Sequence, residues 1–138
     1  MSKVAIVYWS GTGNTKIMAE AVLEGAKNKG LEATLFDVSE FNKDMVSDFD
    51  AIAFGCPAMG AEALEEVEFE PVFSECDLNG KNIALFGSYG WGGGEWMNSW
   101  EEVCGEKGAK LVSKSVICNE APDDEVLEEC KKLGEMLG

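Results

Sequence analysis

Lys3-Val-Ala-Ile-Val-Tyr-Trp-Ser-Gly-Thr-Gly-Asn-Thr15 decides how this chain folds. From Val4 to Trp9 the stretch is apolar without a break. A strand with one face in water alternates, so a continuous run predicts a strand covered on both faces. The second half sets Gly11 and Gly13 among Ser10, Thr12, Asn14 and Thr15 and runs straight into a helical pattern. Strand, glycine-rich turn and helix together open a parallel βα unit.

The same alternation continues outward. Further apolar, β-favouring runs occupy 33–38, 50–55, 81–87 and 111–118. Between 14 and 29, Ile17, Met18, Ala21, Val22 and Ala26 share a helical stripe, and Gly30 stops it. Between 95 and 107, Trp96, Trp100, Val103 and Cys104 recur at helical spacing. The last segment opens on Pro122 and two aspartates, then places Val126, Leu127, Cys130, Leu133 and Leu137 on one face. Shorter helices are predicted at 42–47 and 71–76. Repeated strand-then-helix units imply an α/β three-layer sandwich. The expected sheet is five-stranded and parallel, of order 2-1-3-4-5, with helices on both faces. A length of 138 residues suits a single domain over 1–138. In such a sheet ligands bind at the carboxyl ends of the strands, where the winding reverses between strands 1 and 3. The chemistry is therefore expected in the loops after strands 1, 3, 4 and 5.

Composition removes whole chemistries. Twenty-six acidic residues against eleven basic ones give a net charge of −15, and the chain has neither arginine nor histidine. Such a surface repels nucleic acid and anionic membranes and attracts basic partners. Without histidine there is no imidazole base and no histidine-bound zinc; without arginine there is no bidentate phosphate clamp. Cys56, Cys76, Cys104, Cys118 and Cys130 form no Cys-x-x-Cys pair, which predicts reduced thiols that pack as small apolar groups rather than bind metal. No apolar run reaches the length of a membrane span, and the first residues lack the pattern of a secretory signal, so the cytoplasm is expected.

The loop from Ser10 to Thr15 reads as a phosphate site built without a cation. Its glycines free the backbone to curl amides inward, and the helix that follows adds its partial positive charge. A Walker loop would end in Gly-Lys-Ser/Thr, and a dinucleotide fingerprint would have a third glycine where Lys16 stands. A lone phosphomonoester fits best. After strand 3 comes Cys56-Pro-Ala-Met59, and after strand 4 comes Ser88-Tyr-Gly-Trp91 followed by three glycines. Trp91, flanked by glycines at the same sheet edge, suits stacking on a planar ligand, and Met59 suits covering its other face.

The stretches Val7-Tyr-Trp-Ser-Gly-Thr-Gly-Asn-Thr15, Gly55-Cys-Pro-Ala-Met-Gly60 and Leu85-Phe-Gly-Ser-Tyr-Gly-Trp-Gly92 closely resemble short-chain flavodoxins of anaerobic bacteria. The likeness covers nearly the whole chain. It implies that Ser10, Gly11, Thr12, Gly13, Asn14 and Thr15 hold the phosphate of FMN. It also implies that Met59, beside Ala58, covers the inner face of the flavin ring and Trp91 the outer face. Gly60 and Ala61 would carry a peptide that flips on reduction, and Glu62 would bond the pyrimidine end. Ser88, Tyr89, Gly90, Asn119 and Glu120 match further contacts to ring and ribityl chain. Ala61 departs from the polar residue or glycine common in related sequences.

Trp9, Trp96 and Trp100 are expected to be packing groups, Cys56 a filler, and Glu65, Glu66, Glu68 and Glu70 a solvated face that adds negative charge around the flavin. The function implied is a monomeric low-potential one-electron carrier with no turnover of its own, cycling mainly between neutral semiquinone and hydroquinone. Its partners would be redox proteins with basic docking surfaces. A flavin reductase is disfavoured by the acidic, arginine-free surface. A phosphoacceptor receiver would need acids at the ends of strands 1 and 3, where Tyr8, Trp9 and Gly55 stand.

Overall fold

The computed structural model describes residues 2–11, 13–59, 64–90 and 94–138. Along the chain run β1 (Lys3–Tyr8), α1 (Asn14–Asn28), β2 (Glu32–Asp37), β3 (Ala51–Gly55) and α2 (Phe69–Glu75). Then follow β4 (Asn82–Tyr89), α3 (Glu95–Glu106), β5 (Lys110–Leu111), β6 (Val116–Asn119) and α4 (Asp124–Glu135). Between β2 and β3 the chain makes two 3-10 turns, Val38–Glu40 and Lys43–Asp48. The second replaces the helix expected at 42–47; Asn42 caps it by accepting from the Asp44 amide. Short segments of this kind favour the tighter i→i+3 winding.

All strand pairs are parallel, in the order β2-β1-β3-β4-β5, with β6 also on β4. The edge strand expected as one run over 111–118 is in fact two. Ile83 pairs with Leu111 and Phe86 with Val116, so four residues, 112–115, face two on β4. The surplus interrupts the ladder after the Val112 amide bonds the Ile83 carbonyl, and pairing resumes at Val116.

Alternate residues of the central strands feed two cores. Ala5, Val7, Ile52, Phe54, Ile83 and Leu85 meet Phe69 and Phe73 of α2 and Trp96 and Trp100 of α3. Val4, Ile6, Ala53, Ala84 and Phe86 meet Met18, Val22 and Ala26 of α1 and Cys130 and Leu133 of α4. Burying each larger side chain contributes about 1.5–3 kcal/mol, so both faces stabilise the sheet. The second face also depends on glycine. A Cβ on Gly25 would lie 1.9 Å from the Lys131 carbonyl oxygen, and one on Gly134 2.1 Å from that of Val22. Backbone contact at these crossings holds α1 against α4. On the first face, the buried Trp100 indole N–H has no hydrogen-bond partner among the described residues. The ring stands edge-to-face with Phe69 and Phe73 at 5.5 and 5.7 Å, and aromatic faces are weak acceptors.

All five cysteines are buried and free. Burial pushes the Cys56 thiol up to about 12, consistent with a filler rather than a thiolate. Among the described residues no helix is long and apolar enough to cross a membrane, and no His/Cys/Asp/Glu cluster could hold a metal.

Candidate cofactor site

At the carboxyl ends of β1, β3, β4 and β6 lies a cleft of about 280 Å³. It is lined by Trp9, Gly11, Asn14, Pro57, Ala58, Met59, Ser88, Tyr89, Gly90 and Glu120. Larger depressions exist elsewhere, including one of about 680 Å³ between α2 and α3. Size does not single out the site. The 280 Å³ cleft stands where the sheet changes winding direction, and it combines apolar walls with convergent polar groups.

Its polar end is the start of α1. Gly13, at φ 102°, caps the helix with no side-chain hydrogen bond, and the first turn contains no acid. Only glycine enters a helix cheaply from that left-handed conformation. Ser10 closes the preceding turn, its Oγ accepting from the Gly13 amide at 3.0 Å and the Lys16 amide at 3.4 Å. The other helices differ. α2 and α3 carry Glu70 and Glu95 in their first turns, and α4 carries Asp124 and Glu125 with Asp123 as cap. In a chain with 26 acids, α1 carries none of them in its first turn. That end suits an anion.

Behind this turn the buried hydroxyls of Thr15 and Ser88 share a hydrogen bond of 3.0 Å, joining the start of α1 to the end of β4. Opposite lie Trp9, Pro57, Ala58 and Met59, an apolar wall fit for a flat ring. Gly11 passes beneath the Trp9 ring, where a Cβ would come within 3.1 Å of it. Glu120 closes the far rim at φ 60°, a strained setting for a non-glycine residue. Its amide donates to the Tyr89 carbonyl at 2.7 Å, which holds it there. An acid-free helix start beside an apolar slot, with no cation among the described residues that line it, fits a phosphorylated planar cofactor such as FMN.

The family model for flavodoxin matches residues 6–134. This chain belongs to the flavodoxin family. It is 45% identical over 134 residues to the flavodoxin of Megasphaera elsdenii, covering 96% of both proteins. It is 43% identical, at the same coverage, to that of Clostridium beijerinckii. Its fold matches the solution structure of two-electron reduced Megasphaera elsdenii flavodoxin with a TM-score of 0.89 over 97% of each chain. Flavodoxins are FMN-binding electron carriers, and FMN is the cofactor of this chain.

Of the flavodoxin site residues read from sequence, Gly11, Asn14, Ala58, Met59, Ser88, Tyr89, Gly90 and Glu120 line the cleft. Ser10, Gly13 and Thr15 build the turn behind it. Asn119 ends β6 opposite Tyr89, next to the lining residue Glu120. Thr12, Gly60, Ala61, Glu62 and Trp91 lie outside the described residues. Two expectations need correcting. Trp9, read as a packing group, is a wall of the cleft as well as a neighbour of the core, and its indole N–H donates to Glu68 at 3.4 Å. Glu65, read as part of a solvated face, is only 6% exposed. Pro57 was not singled out at all, although it directly precedes Ala58 and Met59.

Proposed function

We propose that this flavodoxin holds one FMN with its phosphate on the start of α1, between Ser10 and Thr15, and its ring against the wall formed by Met59, Ala58 and Tyr89. It would pass single electrons at low potential between redox proteins. FMN supplies the redox chemistry, taking and giving one or two electrons. The chain's residues separate the two steps. Met59 and Trp91 exclude water from the ring. Gly60 and Ala61 would supply a backbone hydrogen-bond acceptor toward the ring. Glu62, Glu120 and the surrounding acids oppose the final negative charge. Each 1.4 kcal/mol of such opposition lowers a one-electron potential by roughly 60 mV. The protein would then work mainly between its one-electron and two-electron reduced levels. We also propose that it acts as a monomeric single domain in the cytoplasm, without substrate turnover, and meets partners through their basic surfaces.

The observation that carries this reading is the acid-free start of α1, entered through Gly13, at the mouth of an apolar cleft. Stepwise anaerobic reduction of the FMN-loaded protein, followed in the visible range, tests it. A blue long-wavelength band should rise with the first electron and fall with the second. One-step bleaching with no such band, or failure to take up FMN, would contradict it.

A further inference from the structure

Glu65 is the buried charged residue that the proposed chemistry does not use. Its carboxylate accepts from the amides of Glu68 at 2.7 Å, Phe69 at 2.8 Å and Val67 at 2.9 Å. Its own amide donates to Cys56 Sγ at 3.4 Å, and its carbonyl accepts from the Glu70 amide at 2.9 Å. One residue is thus tied at five points, to the end of β3 on one side and the start of α2 on the other.

Burying a carboxylate costs several kcal/mol of hydration, recovered only by well-matched donors. An exposed cap satisfies a helix start without that cost, as Asp123 does for α4 and Asp37 for the first 3-10 turn. The buried clamp therefore does more than cap a seven-residue helix. It stands at the far end of the connection whose near end is fixed by the Ala58 amide on the Ser88 carbonyl, at 2.9 Å. The Trp96 indole holds the Cys56 carbonyl at 3.3 Å beside that near end. Met59 of the cleft wall lies between the two fixed ends. The turn held by Glu65 also receives the bond from Trp9, another wall of the cleft, through Glu68.

We propose that Glu65 is a positioning residue for the flavin. It fixes the far end of the β3–α2 connection, so that Met59 and Trp9 meet the ring in one arrangement. The inference rests on the FMN reading above. Ordering the wall during folding spares that cost at binding, which is how preorganisation raises affinity.

Two substitutions separate position from charge. Glu65→Asp keeps the charge but withdraws it by one methylene; Glu65→Gln keeps the length but turns an amide donor toward three donors. The measurements are dissociation constants for FMN and riboflavin, both one-electron midpoint potentials, and the melting of each apoprotein. Both variants should bind both ligands about tenfold more weakly, since hydrogen bonds to a buried charge are lost. The factor should be the same for FMN and riboflavin, because the phosphate turn is untouched. At least one potential should shift, in Glu65→Asp as well. Folded variants with lowered melting but unchanged dissociation constants and potentials would reduce Glu65 to a helix cap and overturn the proposal. If neither variant folds, hydrogen exchange on the wild-type protein decides, because coupling between clamp and site is reciprocal. FMN should slow exchange at Val67, Glu68 and Phe69 more than at Ala26 and Leu133 on the other face; equal slowing overturns the proposal. A wild-type protein that takes up no FMN would reject the underlying reading, a separate outcome.

Discussion

α1 and α4 lie side by side on one face of the sheet, and both begin at its carboxyl edge, yet the chain treats their N-termini in opposite ways. α4 opens on Asp123, whose carboxylate accepts from the Val126 amide at 2.9 Å, followed by Asp124 and Glu125. α1 opens on a bare glycine with no acid in its first turn. α2 resembles α4 in kind, its start neutralised by the buried Glu65. Every helix start has spare amide donors and a partial positive charge. Where the chain satisfies them itself the helix gains stability. At α1 it places no carboxylate in the first turn, and Asn14 at that start lines the cleft. In an acidic, arginine-free protein an acid-free helix start suits an anion.

The largest effect should come from giving α1 what α4 has. Asn14 lines the cleft at the first position of the helix. Asn14→Asp sets a carboxylate against the phosphate; two charges about 5 Å apart at an effective dielectric near 20 repel by about 3 kcal/mol. FMN should bind roughly 100-fold more weakly, while riboflavin changes little and the apoprotein melts no lower. Titrations with both ligands check this. A parallel loss for riboflavin would place the phosphate elsewhere.

Next comes the buried clamp of α2. Burial raises the Glu65 carboxyl, but the amides of Phe69, Glu68 and Val67 outweigh it and leave its pKa below the ordinary carboxylate value. A depressed folded-state pKa contributes stability above the unfolded value, and loses it as pH falls through the folded one. Glu65→Gln should therefore cost about 2 kcal/mol at pH 7. It should also flatten the acid limb of the stability curve below about pH 4.5. Urea melts from pH 3 to 7 provide the comparison, and equal slopes would show that the carboxylate is not held in its charged form.

Removing the exposed cap of α4 should matter less. Asp123→Ala is expected to cost about 1 kcal/mol, with FMN affinity unchanged because this helix start serves only itself. Smaller again is Glu95→Gln at the first turn of α3, about 0.3–0.5 kcal/mol and diminishing with salt. Should either substitution weaken FMN as strongly as Asn14→Asp, the distinction between the helix starts would fail.

The contrast also marks what a sequence reveals. The bare start of α1 was legible, because Ser-Gly-Thr-Gly-Asn-Thr contains no carboxylate and follows an unbroken apolar run. The central strands were legible for the same reason: Val4 to Tyr8 and Ile83 to Phe86 are buried on both faces. Glu65 was not, since its partners are backbone amides that leave no mark among Glu65-Glu-Val-Glu68. Trp9 was missed because a tryptophan ending a strand packs on the core whether or not it also walls a cleft. The split between β5 and β6 arises from a two-residue surplus against β4, and register against a neighbour is not written in either strand. Its trace in the sequence was the polar Ser113-Lys-Ser115 inside an apolar run.

The most direct test of the account compares FMN with riboflavin on the wild-type apoprotein, by calorimetric titration at fixed salt. The two ligands differ only by the phosphate. If α1 is kept clear for that group, FMN should bind about 100-fold more tightly, the worth of one to two hydrogen bonds to a charged acceptor. Equal dissociation constants would contradict it, and the bare helix start would then have no anion to serve.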